Sequence, residues 1–505
     1  MDPSRRPFIG EALHGTPLGE IPSVRLLGPT RFHDHTRRIY QMRTSRKNVR
    51  KRKAQKNSIV GLPVLRPNVA GIDIGSREHY VAGPIPVDGS QNVRRFDTTT
   101  PGLLKMVEWL RSQGVESVAM ESTSVYWIPA YELLESRGFE VLLVNARQTR
   151  NVSGRKTDVL DCQWIQRLHS CGLFNGSFRP DETICRVRAI RRQWSNLVAE
   201  RTKAMQWLQK ALDQMNVQVH HAVSDISGKT GMAIVRAIVS GERDHRKLAG
   251  LRDKRCKKSV DEIADHLMGN WRSEHLFNLE QALALYDHLQ AMIKLYETRL
   301  LEEIEEFQPP ERKNAVVPSH PNPTKEKVIK LRSNQVAREA LWRVLGVDLM
   351  RIDGVNIETA LTVFAEVGMD LSLFPSEKHF VSWLRLSPKH DITGGKQIRS
   401  KKIRSLGATR ISSTLRMAAL SLANSRTSLG AYYRRISRRK DASVAIFATA
   451  RKLAILIFRM LRYGQDYVDI GQQAYEQHFQ ERRLAGMKRA LKSMGFQVVP
   501  IETAV

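Results

Sequence analysis

The sequence predicts an α/β domain followed by a mainly α-helical remainder, and three observations carry that reading. Across 67–180 short apolar runs and helical patterns follow one another in the order βββαβαβα. Two long stretches further on repeat their apolar residues at alternating steps of three and four, and beyond 325 the periodicity is mostly helical.

The strands come first. NVAGIDIG, HYVAGPI and NVRRFDT, each bounded by Gly, Pro, Asp or Ser, read as three short strands close enough to form a meander. A helical pattern, PGLLKMVEWLRSQG, leads into the strand VESVAME. A helix around WIPAYELLESRG then leads into the strand EVLLVN, and a basic loop precedes a helix that begins near Thr157. Three antiparallel strands followed by alternating α and β units is the layout of the ribonuclease H-like fold, whose first strand lies beside the fourth in parallel.

At 505 residues the chain exceeds one compact domain, and roughly three units are expected. Lys and Arg number 81 against 51 Asp and Glu, a net charge of +30 that goes beyond what solubility asks for. Nucleic acid is the partner this field fits best, because each Lys or Arg that meets a phosphate releases counterions. A membrane fits poorly, since no run of about 18 apolar residues occurs and MDPSRRPFIGEALHG lacks a signal peptide's apolar core. Cys162, Cys171, Cys185 and Cys256 form no CxxC pair and have no His at zinc-finger spacing. They read as reduced packing residues in a cytoplasmic compartment.

Residues 1–66 show no sustained period and hold ten Lys or Arg, with no acid, between Arg37 and Lys56: a basic, disordered arm able to order on nucleic acid. After the α/β domain a seam runs through Val187, Ile190, Trp194, Leu197, Ala204, Leu208, Ala211 and Met215, broken by Arg201. A second runs through Leu279, Ala282, Tyr286, Leu289, Met292 or Ile293, Tyr296, Leu300 and Phe307, with an irregularity near Glu303. Such spacing predicts a coiled-coil stalk over 181–307, folded back antiparallel or paired across a dimer, with an insertion of unassigned fold at 216–270. Five prolines mark 308–324 as a linker. Helices are expected at about 325–345, 357–367, 376–384, 408–425 and 442–462, within a C-terminal domain at 325–470, and 471–505 reads as a tail.

The candidate chemistry lies in four acids. Asp73 ends the first strand and Glu121 the fourth; neighbouring parallel strands would bring both side chains out at one edge. Asp158 and Asp161, in KTDVLDCQW, are three apart on a helix and share a face. Converging anions need cations, and oxygen-only clusters suit Mg²⁺ or Mn²⁺, whose paired form stabilises the attacking and leaving oxygens of a phosphodiester displacement. Each acid alone reads equally well as a strand end or a helix cap. The adjoining loop ARQTRNVSGRKTD supplies Arg147, Arg150, Arg155 and Lys156 for a phosphate backbone. Tyr126 and Trp127 read as core aromatics.

GIDIG with Asp73, MESTSVYW with Glu121 and KTDVLD with Asp158 and Asp161 resemble the DEDD transposases of the insertion-sequence 110 group. RIDGVNIETALTVFAEVG and FPSEKHFVSWLRLSPKHDITGGKQIRSKKIRSLGATRISSTLRMAAL resemble that family's second transposase domain. The resemblance covers most of 68–215 and 340–465, but neither the arm nor the insertion. It implies a recombinase pairing a RuvC-like metal domain with a helical domain that carries a nucleophilic serine. It also implies guidance to the element's ends and a target DNA by a structured non-coding bridge RNA, assembly as a homodimer or tetramer, and a bacterial or archaeal cytoplasm at the nucleoid.

The family's serine precedes a Gly, whereas this sequence reads Asp391, Ile392, Thr393, Gly394, Gly395. Three readings stand: Thr393 is the nucleophile despite its crowding methyl, Ser400 or Ser405 has taken the role, or strand exchange is impaired. ITGGK also reads simply as a turn. Lys396, Arg399, Lys401, Lys402 and Arg404 crowd the loop and favour phosphate contact. IDGVNIETALTVFAEVG reads as a glycine turn entering a helix whose amides could meet DNA. The alternatives to a transposase are a hydrolytic RuvC-like, structure-selective endonuclease without a covalent intermediate, and a non-catalytic nucleic-acid binder.

Overall fold

The structure, a computed structural model, describes residues 62–496 except 87–89, 91, 123, 146–157, 175, 332–334, 388–390, 394–395 and 399–408. The chain divides after Phe178 into two compact units. Among the described residues no helix is long and apolar enough to cross a membrane.

The first unit is a five-stranded mixed sheet. Its strands are β1 (Val69–Ile74), β2 (Glu78–Ala82), β3 (Val93–Asp97), β4 (Ser117–Glu121) and β5 (Glu140–Val144), in the order β3-β2-β1-β4-β5. β1–β2 and β2–β3 pair antiparallel, and β1–β4 and β4–β5 pair parallel, which is the arrangement the order of elements predicts. Alternation divides the sheet's residues between two faces. Ala70, Ile72 and Ile74 of β1 with Val118 and Met120 of β4 face α1 (Thr100–Ser112) and α2 (Trp127–Ser136), and there Leu103, Met106, Leu110, Ala130 and Leu134 complete the core. Each large side chain buried there contributes about 1.5–3 kcal/mol. The other face belongs to α3 (Asp158–Ser170).

The expected arm is shorter than 66 residues at its C-terminal end. The backbone amides of Leu65 and Arg66 donate to Ser170 O at 2.9 and 3.0 Å, and Arg66 pairs with Glu140 at 3.1 Å, so this stretch is part of the domain. Residues 1–61 lie outside the described residues.

The second unit opens with two 33-residue helices, α4 (Glu182–Gln214) and α9 (Ser273–Glu305). They lie antiparallel within one chain: Arg186 meets Glu306, Trp194 donates to Glu297 and Arg201 donates to Gln290. Leu197, Ala204, Leu289 and Ile293 are buried between them. Arg201, the break in the seam, is therefore a polar layer satisfied across the pair. The insertion supplies a cap of short helices, α5 (Val219–Ala222), α6 (Lys229–Val239), α7 (His245–Gly250) and α8 (Val260–His266). Their apolar faces join Leu208, Leu212, Leu279 and Leu283 in one core. A reciprocal Ser259–Glu262 capping box starts α8.

The proline-rich segment is not a free linker. Val317 and His320 are buried, Pro318 O accepts from Arg338, and Phe307 packs edge-on against Phe364 at 5.8 Å. Where a helix was expected at 325–345 the described residues form α10 (Pro323–Leu331) and α11 (Gln335–Leu345), and 332–334 lie outside them. Then follow α12 (Ile357–Val367), α13 (Glu377–Trp383), the hairpin strands β6 (Asp391–Thr393) and β7 (Lys396–Ile398), α14 (Arg410–Ser421), α15 (Ser428–Arg439), α16 (Ala442–Tyr463) and α17 (Gly471–Ser493). α15 was not expected, and α17 occupies most of the presumed tail. α12 is bound to the root of α4: Arg192 Nε and its second nitrogen donate to Glu366 at 2.8 and 2.7 Å, and Arg191 pairs with Glu358.

Candidate active site

Gly71 explains how the carboxylates come to one edge. On a strand, residues two apart share a face, so Gly71 and Asp73 look the same way. A Cβ at Gly71 would lie 2.2 Å from the backbone nitrogen of Gln166 and 2.5 Å from Cys162 O, so α3 crosses β1 with its backbone directly on this glycine. The lower half of α3 is clamped to the same face: His169 Nε2 and Ser117 Oγ are 2.8 Å apart, and Gln166 Nε2 donates to Val69 O at 3.4 Å. Val69 sits at the start of β1 and Asp73 near its end, so α3 runs antiparallel to β1. Its first turn, with Asp158 and Asp161, therefore reaches the edge where Asp73 emerges.

Glu121 joins from the neighbouring strand. Ile72 aligns with Met120 in the parallel pair, and one step further along come Asp73 and Glu121. Ser117, which faces α3, shares its face of β4 with Glu121. Asp73, Glu121 and Asp161 are half-buried and Asp158 is exposed. Burial, with the charge of Asp73 second, pushes the Cys162 thiol up to about 12; Asp161 adds to the same effect. The helix dipole at the N-terminus of α3 favours its two acids. Backbone placement thus brings the four residues to one edge. Among the described residues, however, no three His, Cys, Asp or Glu side chains are drawn together closely enough to hold a metal ion.

Beside Asp73 the sheet carries a polar row that the sequence reading missed. Tyr80 lies opposite Asp73 on β2, and its hydroxyl donates to Glu78 Oε1 at 3.0 Å; Glu78 also pairs with Arg95 of β3 at 3.1 Å. The hydrogen bond to Glu78, followed by burial, pushes the Tyr80 phenol up. Period-two alternation in EHYVA and VRRFD would have placed these groups on the face of Asp73.

Other expected site residues fall differently. Arg147, Arg150, Arg155 and Lys156 lie outside the described residues, as do Arg399, Lys401, Lys402 and Arg404. Thr393 and Lys396 form the closing pair of the β6–β7 hairpin, flanking Gly394 and Gly395. Trp127 packs edge-on with Tyr131 at 5.7 Å, as a core aromatic should, whereas Tyr126 is exposed and stands at the N-terminal boundary of α2. Gly354, at φ +85°, makes the turn before α12. The Thr359 N–H in the first turn of α12 is taken by Asn356 Oδ1 at 2.9 Å, and Asp353 is buried and paired with Lys325 at 2.7 Å. The chain's own groups therefore occupy much of that turn.

Residues 70–217 match the IS110 DEDD transposase family, described as a transposase, and residues 348–434 match the family described as transposase IS116/IS110/IS902. No curated protein matches the chain. The first match contains all four acids, and the second contains Thr393 and the turn at Gly354.

Proposed function

The chain carries both transposase domains of the IS110 type, and from that premise we propose that it cuts and exchanges DNA strands at the edge where Asp73, Glu121, Asp158 and Asp161 emerge. The observation that supports this most is the close approach of α3 at Gly71, combined with the parallel register of β1 and β4. The donors are oxygen only, which fits Mg²⁺ or Mn²⁺. In this reading a bound cation offsets the repulsion that like charges at one edge otherwise meet. A bound divalent pair supplies charge stabilisation to the attacking and leaving oxygens of a phosphodiester.

Thr393 supplies the nucleophile in this reading. Its Oγ1 forms a bond to phosphorus as the bond to one deoxyribose oxygen breaks; the threonine proton is lost to a base, and the departing oxygen takes up a proton. Attack by another strand's hydroxyl on the phosphothreonine then releases the protein. Guidance by a structured bridge RNA and assembly of two or four protomers complete the proposal. Both rest on the family resemblance.

The test is nicking and joining of a supercoiled plasmid that carries the element's ends, in Mg²⁺, Mn²⁺ or EDTA. Asp73→Asn and Glu121→Gln should each lower cleavage about a hundred- to a thousandfold, as loss of a principal electrostatic group does, and EDTA should abolish it. Thr393→Ser should remain active, whereas Thr393→Val should form no covalent DNA adduct. Full cleavage by Asp73→Asn overturns the site. A second reading, hydrolysis by a RuvC-like endonuclease, is favoured by the position of Thr393 in a hairpin's closing pair, which turn geometry alone explains. Unchanged cleavage by Thr393→Val, with no adduct in the parent protein, selects it.

A further inference from the structure

We propose that the cleft between α15 and α17 is a separate site that grips single-stranded nucleic acid by its phosphates and an unstacked base. The cleft encloses about 490 Å³ and is lined by arginines of α15, with aromatic residues and an arginine of α17. α17 lies beyond both matched stretches, and the argument is independent of the carboxylates.

The arginines are not equivalent. Arg434 is committed to the fold: it donates to Ala423 O, Ser425 O and Gln472 Oε1 at 3.0, 2.6 and 2.8 Å. Arg435, Arg438, Arg439 and Arg483 have no hydrogen bond or ion pair among the described residues. The one acid in the lining, Glu476, accepts from Gln472 at 2.8 Å. Four unpaired guanidinium groups around one cleft repel one another, and the arrangement persists at less cost when an anion lies among them.

The aromatic rings narrow the class of anion. The Arg435 guanidinium lies 4.1 Å from the Phe479 ring centroid and 5.6 Å from that of Tyr475, and its Nε is buried without a hydrogen-bond partner. Stacking holds the planar fork in place before any ligand arrives, so little rotamer freedom remains to be lost when it meets a phosphate. Favourable charge at the C-terminus of α15 accounts for Arg438 and Arg439 on structural grounds, but not for Arg435 or for Arg483 on another helix. Half-buried rings beside free guanidinium groups are how proteins take up unpaired strands: bases stack and phosphates pair. A cavity of this size admits a nucleotide or two, not a duplex.

The experiment measures binding of full-length protein to labelled single-stranded DNA, single-stranded RNA and duplex DNA of equal length, by fluorescence anisotropy across a salt series. Arg438, Arg439 and Arg483 are exposed, and all three are changed to Gln together. The control replaces Lys210, Lys254 and Lys257, exposed on the helical pair and its cap, in the same way. The cleft variant should bind DNA or RNA single strands at least tenfold more weakly than the control, with the salt slope reduced by about 2, as loss of three phosphate contacts implies. The weakened arm identifies DNA or RNA as the ligand. Equal loss by cleft and control variants, or loss confined to the duplex, overturns the proposal. Unchanged thermal unfolding of the variants verifies that the fold is retained.

Discussion

Replacing Gly71 by alanine tests the geometry on which the active-site assignment stands. The added methyl would sit 2.2 Å from the Gln166 nitrogen and 2.5 Å from Cys162 O, where ordinary contact begins at 3.4 Å, and both neighbours are helix backbone that cannot rotate away. α3 must retreat by roughly 1 Å, carrying Asp161 away from Asp73. Overpacking of this kind costs about 1–3 kcal/mol. In a domain of this size that lowers the unfolding temperature by about 5–15 °C. A misplacement of about 1 Å in a catalytic constellation costs about a hundredfold in rate. Thermal unfolding followed by circular dichroism and plasmid nicking well below the transition separate the two effects. If Gly71→Ala unfolds with the parent and nicks at the parental rate, α3 does not lie on this glycine and the placement of the acids at one edge fails with it.

Acid should destabilise the first unit through His169, which is 1% exposed and whose imidazole burial pushes down to about 4. The folded form releases its proton more readily than the unfolded chain, so this stability is fully present above about pH 6.5 and is lost as the pH falls to about 4. Up to about 3 kcal/mol is at stake. Denaturant titrations of the parent and of His169→Gln should show a shallower pH dependence in the variant, and identical profiles would contradict the assignment. In the second unit, Arg338 is buried and held by Asp348 at 2.8 Å, Glu326 at 3.0 Å and Pro318 O at 2.9 Å. Arg338→Ala strands these partners and should cost about 3–5 kcal/mol in urea unfolding; a loss below 1 kcal/mol would show the cluster to be dispensable.

The parts of this fold legible in the sequence are those whose information is local. Apolar runs marked the strands, whose order with the helices put β1 beside β4, and α12 has the bounds that its Asn356 cap and the positive-φ Gly368 dictate. The order of elements carried the four acids to one edge, yet their spacing depends on Gly71, two residues before Asp73, whose role appears only when α3 lies on it. α17 was unreadable for a plainer reason: none of its residues is buried, so it has no apolar stripe to betray a period. α15 hides its buried Leu429, Ala431 and Tyr433 among arginines. The proline-rich segment looked like a linker because its anchors, such as the Arg338 contact with Pro318, come from twenty residues away.

The α4–α9 pair starts from and returns to α12, with Arg191 and Arg192 rooted on it at one foot and Phe307 on its Phe364 at the other. Everything between those feet is an excursion whose reach is set by the length of its two 33-residue helices. Taking seven residues, close to two helical turns, from each limb at matching levels would leave the same faces in contact and draw the cap inward by about 10 Å. Evolution can thus retune the span of this mast without disturbing its footing, much as a telescoping pole is shortened by one section.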